Sequence, residues 1–203
     1  MEKLFWEQIH NDDSLSAFSE EPTPDIAECW PYFIEGASVL DVGCGNGCNA
    51  IFLAEKGFKV DAFDISWTGL QKARQLAANK KVNVNFFREN LTEFAFSKKY
   101  SVILCHDVLH LCNNSARDWF VEQAMNHTYP GGYNAISVYT NRLPAAPYME
   151  LFTKSLFDVG ELLEQYIGWE IVHHREGIVE DINPNGGDVH KHAIESIIAR
   201  KLV

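Results

Sequence analysis

Val39-Leu40-Asp41-Val42-Gly43-Cys44-Gly45-Asn46-Gly47 is the stretch that decides the fold. Apolar residues around an aspartate read as a short buried strand, which then breaks into glycines at alternate positions. Beyond Gly47, Ile51, Phe52 and Leu53 followed by Glu55 and Lys56 have helical rather than strand spacing. A strand ending in a glycine loop that opens a helix is the entrance of a dinucleotide-type α/β fold. The glycines permit a sharp turn and the close approach of a ligand. A pyrophosphate loop would be spaced G-x-G-x-x-G. Here the spacing is G-x-G-x-G, with Asp41 just before it. That acid repels a pyrophosphate and suits a ligand carrying an ammonium or sulfonium group.

The next strand, Lys59-Val60-Asp61-Ala62-Phe63-Asp64, also ends in an acid. A carboxylate at the tip of a second strand can accept both hydroxyls of a ribose beside the first loop, and Asp64 is better placed for this than Asp61. LDVGCGNG followed by VDAFDIS resembles the cofactor half of class I S-adenosylmethionine-dependent methyltransferases, and in particular the tellurite-resistance methyltransferase family. The resemblance implies a Rossmann-like, seven-stranded, mostly parallel sheet with helices on both faces and an antiparallel last strand. It also implies S-adenosylmethionine as cofactor, S-adenosylhomocysteine as product, and a small methyl acceptor: a thiol, or a chalcogen oxyanion such as tellurite or selenite. A non-catalytic S-adenosylmethionine-binding protein is the alternative, and the glycine spacing speaks against a nicotinamide dehydrogenase.

Composition sets the outer bounds. A chain of 203 residues, 46% hydrophobic, can bury a sizeable core in one domain. No apolar stretch approaches the ~20 residues that cross a bilayer. The acidic, aromatic start Met1-Glu2-Lys3-Leu4-Phe5-Trp6-Glu7 is not a signal peptide. Five cysteines without a C-x-x-C pair suit reduced thiols, hence a cytoplasmic protein. A net charge of -11 argues against nucleic acid as a partner; the oligomeric state is not legible.

Residues 1–36 read as an N-terminal helical segment, with a helix around Asp25–Phe33 after Pro22-Thr23-Pro24 and Asp25 as its cap. The resemblance makes this segment a lid, whose Phe5, Trp6, His10 and Phe18 touch ligand or simply pack. Residues 37–203 form the methyltransferase domain. Strands are expected near 37–42, 59–64, 83–88, 100–106, 132–139, 169–175 and 190–201. Helices are expected near 47–56, 67–78, 115–126 and 159–166. Tyr129-Pro130-Gly131-Gly132 reads as a helix stop and turn ahead of the fifth strand, and the proline-punctuated stretch 140–156 as a functional cover.

In an open α/β sheet the ligand lies beyond the carboxyl ends of the strands. The first strand delivers Asp41 and the loop Gly43, Cys44, Gly45, Asn46 and Gly47; the second delivers Asp64 and Ile65. The third is followed by Asn90-Leu91, where the family commonly has Asp-Leu facing the adenine. The fourth ends in Cys105, expected at the cofactor, and His106, expected to face the transferred methyl or substrate and to act as base for a hard acceptor. His106-Asp107-Val108-Leu109-His110 superficially matches a zinc motif, but it leaves a strand rather than lying on a helix, and no metal is expected. Arg142 could grip an oxyanion or stand solvated. The resembling family carries a His-Arg pair where this chain has Glu180-Asp181. Asp188, His190 and His192 alternate, so with Glu180 they could form a metal or amine site, or just a solvated strand start.

Overall fold

The apolar runs of the central strands are hydrophobic on both sides, so each strand must be covered twice. The computed structural model describes residues 2–11, 19–182 and 189–202, the side chains of 2, 3, 181 and 182 excepted. Its strands are β1 (Ser38–Val42), β2 (Lys59–Asp64), β3 (Val84–Arg88), β4 (Tyr100–His106), β5 (Thr128–Tyr139), β6 (Glu170–Ile182) and β7 (Val189–Arg200). They form one seven-stranded sheet in the order β3-β2-β1-β4-β5-β7-β6. β1 through β5 pair in parallel, and β7 runs antiparallel between β5 and β6. This is the Rossmann-like arrangement that the sequence implied.

The helices are α1 (Glu2–Asn11), α2 (Pro24–Cys29), α3 (Cys48–Glu55), α4 (Trp67–Lys80), α5 (Asn114–Asn126) and α6 (Glu161–Gln165). One core layer joins Val39, Ala62 and Leu104 to Ile26, Ile51 and Leu70 of α2, α3 and α4. The other joins Leu40, Ile103 and Ile136 to Phe120 of α5, Leu162 of α6 and Phe157. Alternation along each strand therefore sends odd-numbered β1 residues and even-numbered β4 residues to the α2–α4 side.

Two local expectations give way. Thr23 rather than Asp25 is the N-cap residue of α2: its backbone is extended and Pro24 supplies the first helical position. Asp25 lies inside the first turn and accepts from its neighbour Ile26 N–H at 3.0 Å. The run from Tyr129 is also not a turn ahead of β5. The helix ends at Asn126, β5 begins at Thr128, and the register shifts between Tyr100 and Val102. Gly131, at φ 77°, and Gly132 absorb this irregularity within the strand.

Gly132 is required by close approach. A Cβ there would lie 2.7 Å from the Ser101 carbonyl oxygen and 2.9 Å from that of Tyr129. Since both are backbone atoms that cannot swing aside, Gly132→Ala should lower unfolding stability by about 1–3 kcal/mol in urea denaturation. Gly57→Ala meets nothing within 4 Å, and it should report the smaller cost of left-handed backbone strain alone.

Candidate active site

The strand order reverses between β1 and β4, and the ends of these strands frame a crevice. After β1 the chain turns through Gly43, Gly45 and Gly47, with φ of 69°, 54° and 80°. Gly43 and Cys44 N–H both donate to Phe63 O at 2.9 Å, which ties the loop to β2. Asp64 then spans two elements. One carboxylate oxygen accepts from Gly45 N–H at 2.9 Å and the other from Ser66 N–H at 2.8 Å, at the start of α4.

A cavity of about 810 Å³ opens at these tips, within the range of small-molecule sites. Its floor holds Asp41, Gly43, Cys44, Gly45, Asn46 and Asp64; Ile65, Asn90, Leu91 and His106 line it as well. Two expected residues stand apart from it among the described residues. Gly47 serves packing, since a Cβ there would sit 3.0 Å from Ala73 and 3.1 Å from Phe86. Cys105 points into the α5–α6 core, fully buried, because it occupies the opposite face of β4 from His106. Asn90 turns its side-chain oxygen to Thr92 N–H at 3.2 Å.

Asp41 and His106 share the α2–α4 face. Asp41 is buried, and one of its oxygens has no hydrogen-bond partner among the described residues. Burial pushes its carboxyl up to about 7, against the pull of His106 and of the Ala50 N–H. Asp107 is held in left-handed backbone, φ 56°, by Ser137, whose hydroxyl donates to its carboxylate at 2.7 Å. An aspartate at such a φ above a buried site is a strained residue kept in place by its surroundings.

One roof residue, Glu7, carries a role that the sequence did not single out. Glu7 of α1 accepts from Trp67 and Thr68 N–H at 2.9 Å each and from Ser66 Oγ at 3.2 Å, and it pairs with Arg88 at 3.2 Å. Burial works against this carboxylate, yet the N–H groups opening α4 hold it down to about 2. Phe5 stacks on Phe152 at 4.0 Å, and with Trp6 it packs on Leu111, Ala146 and Met149. The 140–156 stretch thus meets α1 over the cavity, and Phe5, Trp6 and His10 line it. A glutamate seven residues into a chain carries no sequence signal for capping a helix sixty residues on.

The tellurite resistance protein TehB family model matches residues 26–192. The chain belongs to this family. It is 26% identical over 172 residues to a probable S-adenosyl-L-methionine-dependent methyltransferase TehB of Haemophilus influenzae, covering 83% of this chain and 58% of that protein. A ubiquinone biosynthesis O-methyltransferase of Rickettsia akari is 31% identical over 132 residues, covering 64% of this chain and 47% of the other. The chain therefore spans about half the length of the curated relatives it matches. The crystal structure of TehB from Haemophilus influenzae superposes with a TM-score of 0.78 at 22% identity, covering 97% of this chain and 67% of that one.

At the sheet edge of this TehB-family chain, β6 and β7 carry several charged and imidazole side chains. Glu180 forms an ion pair with Lys191 at 3.2 Å. His192 is buried and stacks on Tyr139 at 4.5 Å, while Tyr139 stacks on His110 at 4.1 Å. Strand alternation puts Glu180 and His192 on opposite faces, because Val179 is the residue opposite His192. The cluster with Glu180 that the spacing left open is therefore not assembled; Asp188 and the Asp181 side chain lie outside the described residues. Arg142 is exposed, 3.8 Å from Glu176.

The Asp41 carboxyl gives a pH prediction. Below about 7 the empty protein holds it protonated, whereas a neighbouring sulfonium or ammonium group favours the ionised form. Affinity for S-adenosylmethionine should therefore rise with pH up to about 7 and level off above it, with proton release on binding at pH about 6. Titration calorimetry in buffers of different ionisation enthalpy measures this. Asp41→Asn should flatten the profile; an unchanged profile in that variant would assign the proton elsewhere.

Proposed function

We propose that the protein is an S-adenosylmethionine-dependent methyltransferase acting on a small molecule. The observation that carries this is the pair of carboxylates at adjoining strand tips, Asp41 and Asp64, on either side of a bare glycine loop. The residues present fit the cofactor. Asp41 offers a buried, unpartnered oxygen to a positive charge, and Asp64 offers a carboxylate for a ribose. Gly43 and Gly45 leave the loop surface without side chains, while Ile65 and Leu91 offer apolar contact to a base. When bound, S-adenosylmethionine supplies an electrophilic methyl group and recovers the carbon–sulfur bonding pair as that methyl departs.

The chain's own residues then place the acceptor and exclude water. Aligned approach alone lowers such a barrier by on the order of 7–11 kcal/mol. In this reading residues 1–36 act as a lid over the methyltransferase domain 37–203, with Glu7 as its latch, and a cavity of this size beneath it takes a small acceptor. A cytoplasmic location suits the free thiols; among the described residues no helix is long and apolar enough to cross a membrane.

Charge selects among acceptors. The cavity is lined by Asp107, Glu89, Glu21 and Glu180 besides Asp41 and Asp64, against Lys154. An oxyanion meets like charge there, whereas a neutral soft nucleophile does not. A thiol is therefore the favoured acceptor class. In a screen of thiols, amines, selenite and tellurite monitored by S-adenosylhomocysteine release, thiols should exceed tellurite in kcat/KM by at least about tenfold. Preferred turnover of tellurite would overturn the acceptor assignment, and no release with any acceptor would overturn the enzyme assignment.

A further inference from the structure

The start of α2 closes on His106. His106 Nδ1 lies 3.3 Å from Thr23 Oγ1, and Nε2 lies 3.8 Å from Asp25 Oδ2. The His106 and Asp25 side chains are only 9% and 8% exposed. Asp25 Oδ2 and His106 Nε2 are both buried and have no hydrogen-bond partner among the described residues. Two orphaned atoms of complementary character thus face each other, a little beyond hydrogen-bond reach, as pairs that tighten around a ligand often do in the empty protein. Thr23 is held from the other side, because Asn49 Oδ1 accepts from its N–H at 2.8 Å and lies 3.2 Å from its hydroxyl. The backbone donor fixes which end of the Asn49 amide is the oxygen. Thr23 and His106 line the cavity, whereas Asp25 lies behind them.

We propose that Thr23, His106 and Asp25 form a proton relay in which Asp25 holds the His106 Nε2–H and the Thr23 hydroxyl passes the acceptor's proton to Nδ1. This rests on the methyltransferase reading above. As the acceptor's lone pair forms its bond to the methyl carbon, its proton moves to Thr23 Oγ1 and the threonine's own proton moves to Nδ1. At the Thr23 end each state is satisfied without moving a heavy atom, whereas the Asp25–His106 pair closes from 3.8 Å. Before transfer, the Thr23 hydroxyl donates to bare Nδ1. Afterwards Nδ1–H donates to Thr23 Oγ1, whose hydrogen turns to Asn49 Oδ1, and the imidazolium faces Asp25. The proton returns to solvent after product release. Among the described residues, Asp41 from β1 and Asp107 from the end of β4 are the other charged groups that act on His106. Asp25 and Thr23 reach the site from the segment ahead of β1, so the base is complete only while that segment is seated.

Two readouts on the full chain test the relay. With S-adenosylhomocysteine as the probe ligand, the imidazole ¹⁵N shifts of ¹⁵N-histidine protein, assigned with His106→Gln, should show neutral His106 protonated at Nε2 and bare at Nδ1. Asp25→Asn should abolish that preference. Protonation at Nδ1 in the wild type, or an unchanged tautomer in Asp25→Asn, would overturn the proposal whether or not any acceptor is turned over. In turnover, an aliphatic thiol is largely protonated at neutral pH. With it, Asp25→Asn and Thr23→Val should each lower kcat at least about tenfold, and Thr23→Ser should restore most of the loss. With an aromatic thiol already ionised at the assay pH, the same variants should match the wild type. Equal losses with both thiols would assign these residues to folding alone, whereas a wild type inactive with every acceptor would remove the methyltransferase reading and leave the tautomer to decide the pair.

Discussion

The Asp64 carboxylate is the constraint on which the site depends. It ends β2, and its two oxygens take the backbone N–H groups of Gly45 and Ser66. One side chain thus fixes the glycine loop after β1 and the first turn of α4. Ser66 then caps α4 by accepting from Gly69 N–H at 3.1 Å. The same helix start receives Glu7 from α1. Loop, helix and roof are therefore all referred to one strand tip. A carboxylate with two charge-assisted partners is also a group that a ligand with better-placed hydroxyls can recruit.

The segment ahead of β1 is built into the site at several points. Glu7 docks α1 on α4, Asn49 fixes Thr23, and Ile26 is a fully buried anchor of α2 in the core beside β1. Together they bring acidic groups over a cavity that is already acidic. The global charge of -11 is thus echoed locally.

Most of the sheet was legible because its signal is local. A glycine loop after an apolar strand, and alternation or apolar runs elsewhere, define strands without knowledge of their partners. The β4 tip was legible in part. Alternation places Asp41 and His106 on one face once the parallel register is known, and the same rule turns Cys105 away. The β5 entrance was misread because Pro130 and two glycines normally end an element, whereas here they sit in an irregular strand start whose close contact with Ser101 only the fold supplies. Glu7, Thr23 and Asp25 as partners of Trp67, Asn49 and His106 were out of reach, since each is a tertiary contact across 26 to 81 residues of chain. A helix after Pro24 was visible, although it ends at Cys29 rather than Phe33; what it delivers to the cavity was not.

The account stands on Asp64 and Asp41 seating a positively charged nucleoside beside the glycine loop. A crystal structure of the full chain with S-adenosylhomocysteine tests it most directly. The ribose hydroxyls should lie within hydrogen-bond distance of the Asp64 carboxylate, with the methionine arm above Gly43–Gly45 and its amino group on the Asp41 side. A ligand lodged elsewhere, or an Asp64 that keeps both backbone partners and makes no contact with the ribose, would contradict it.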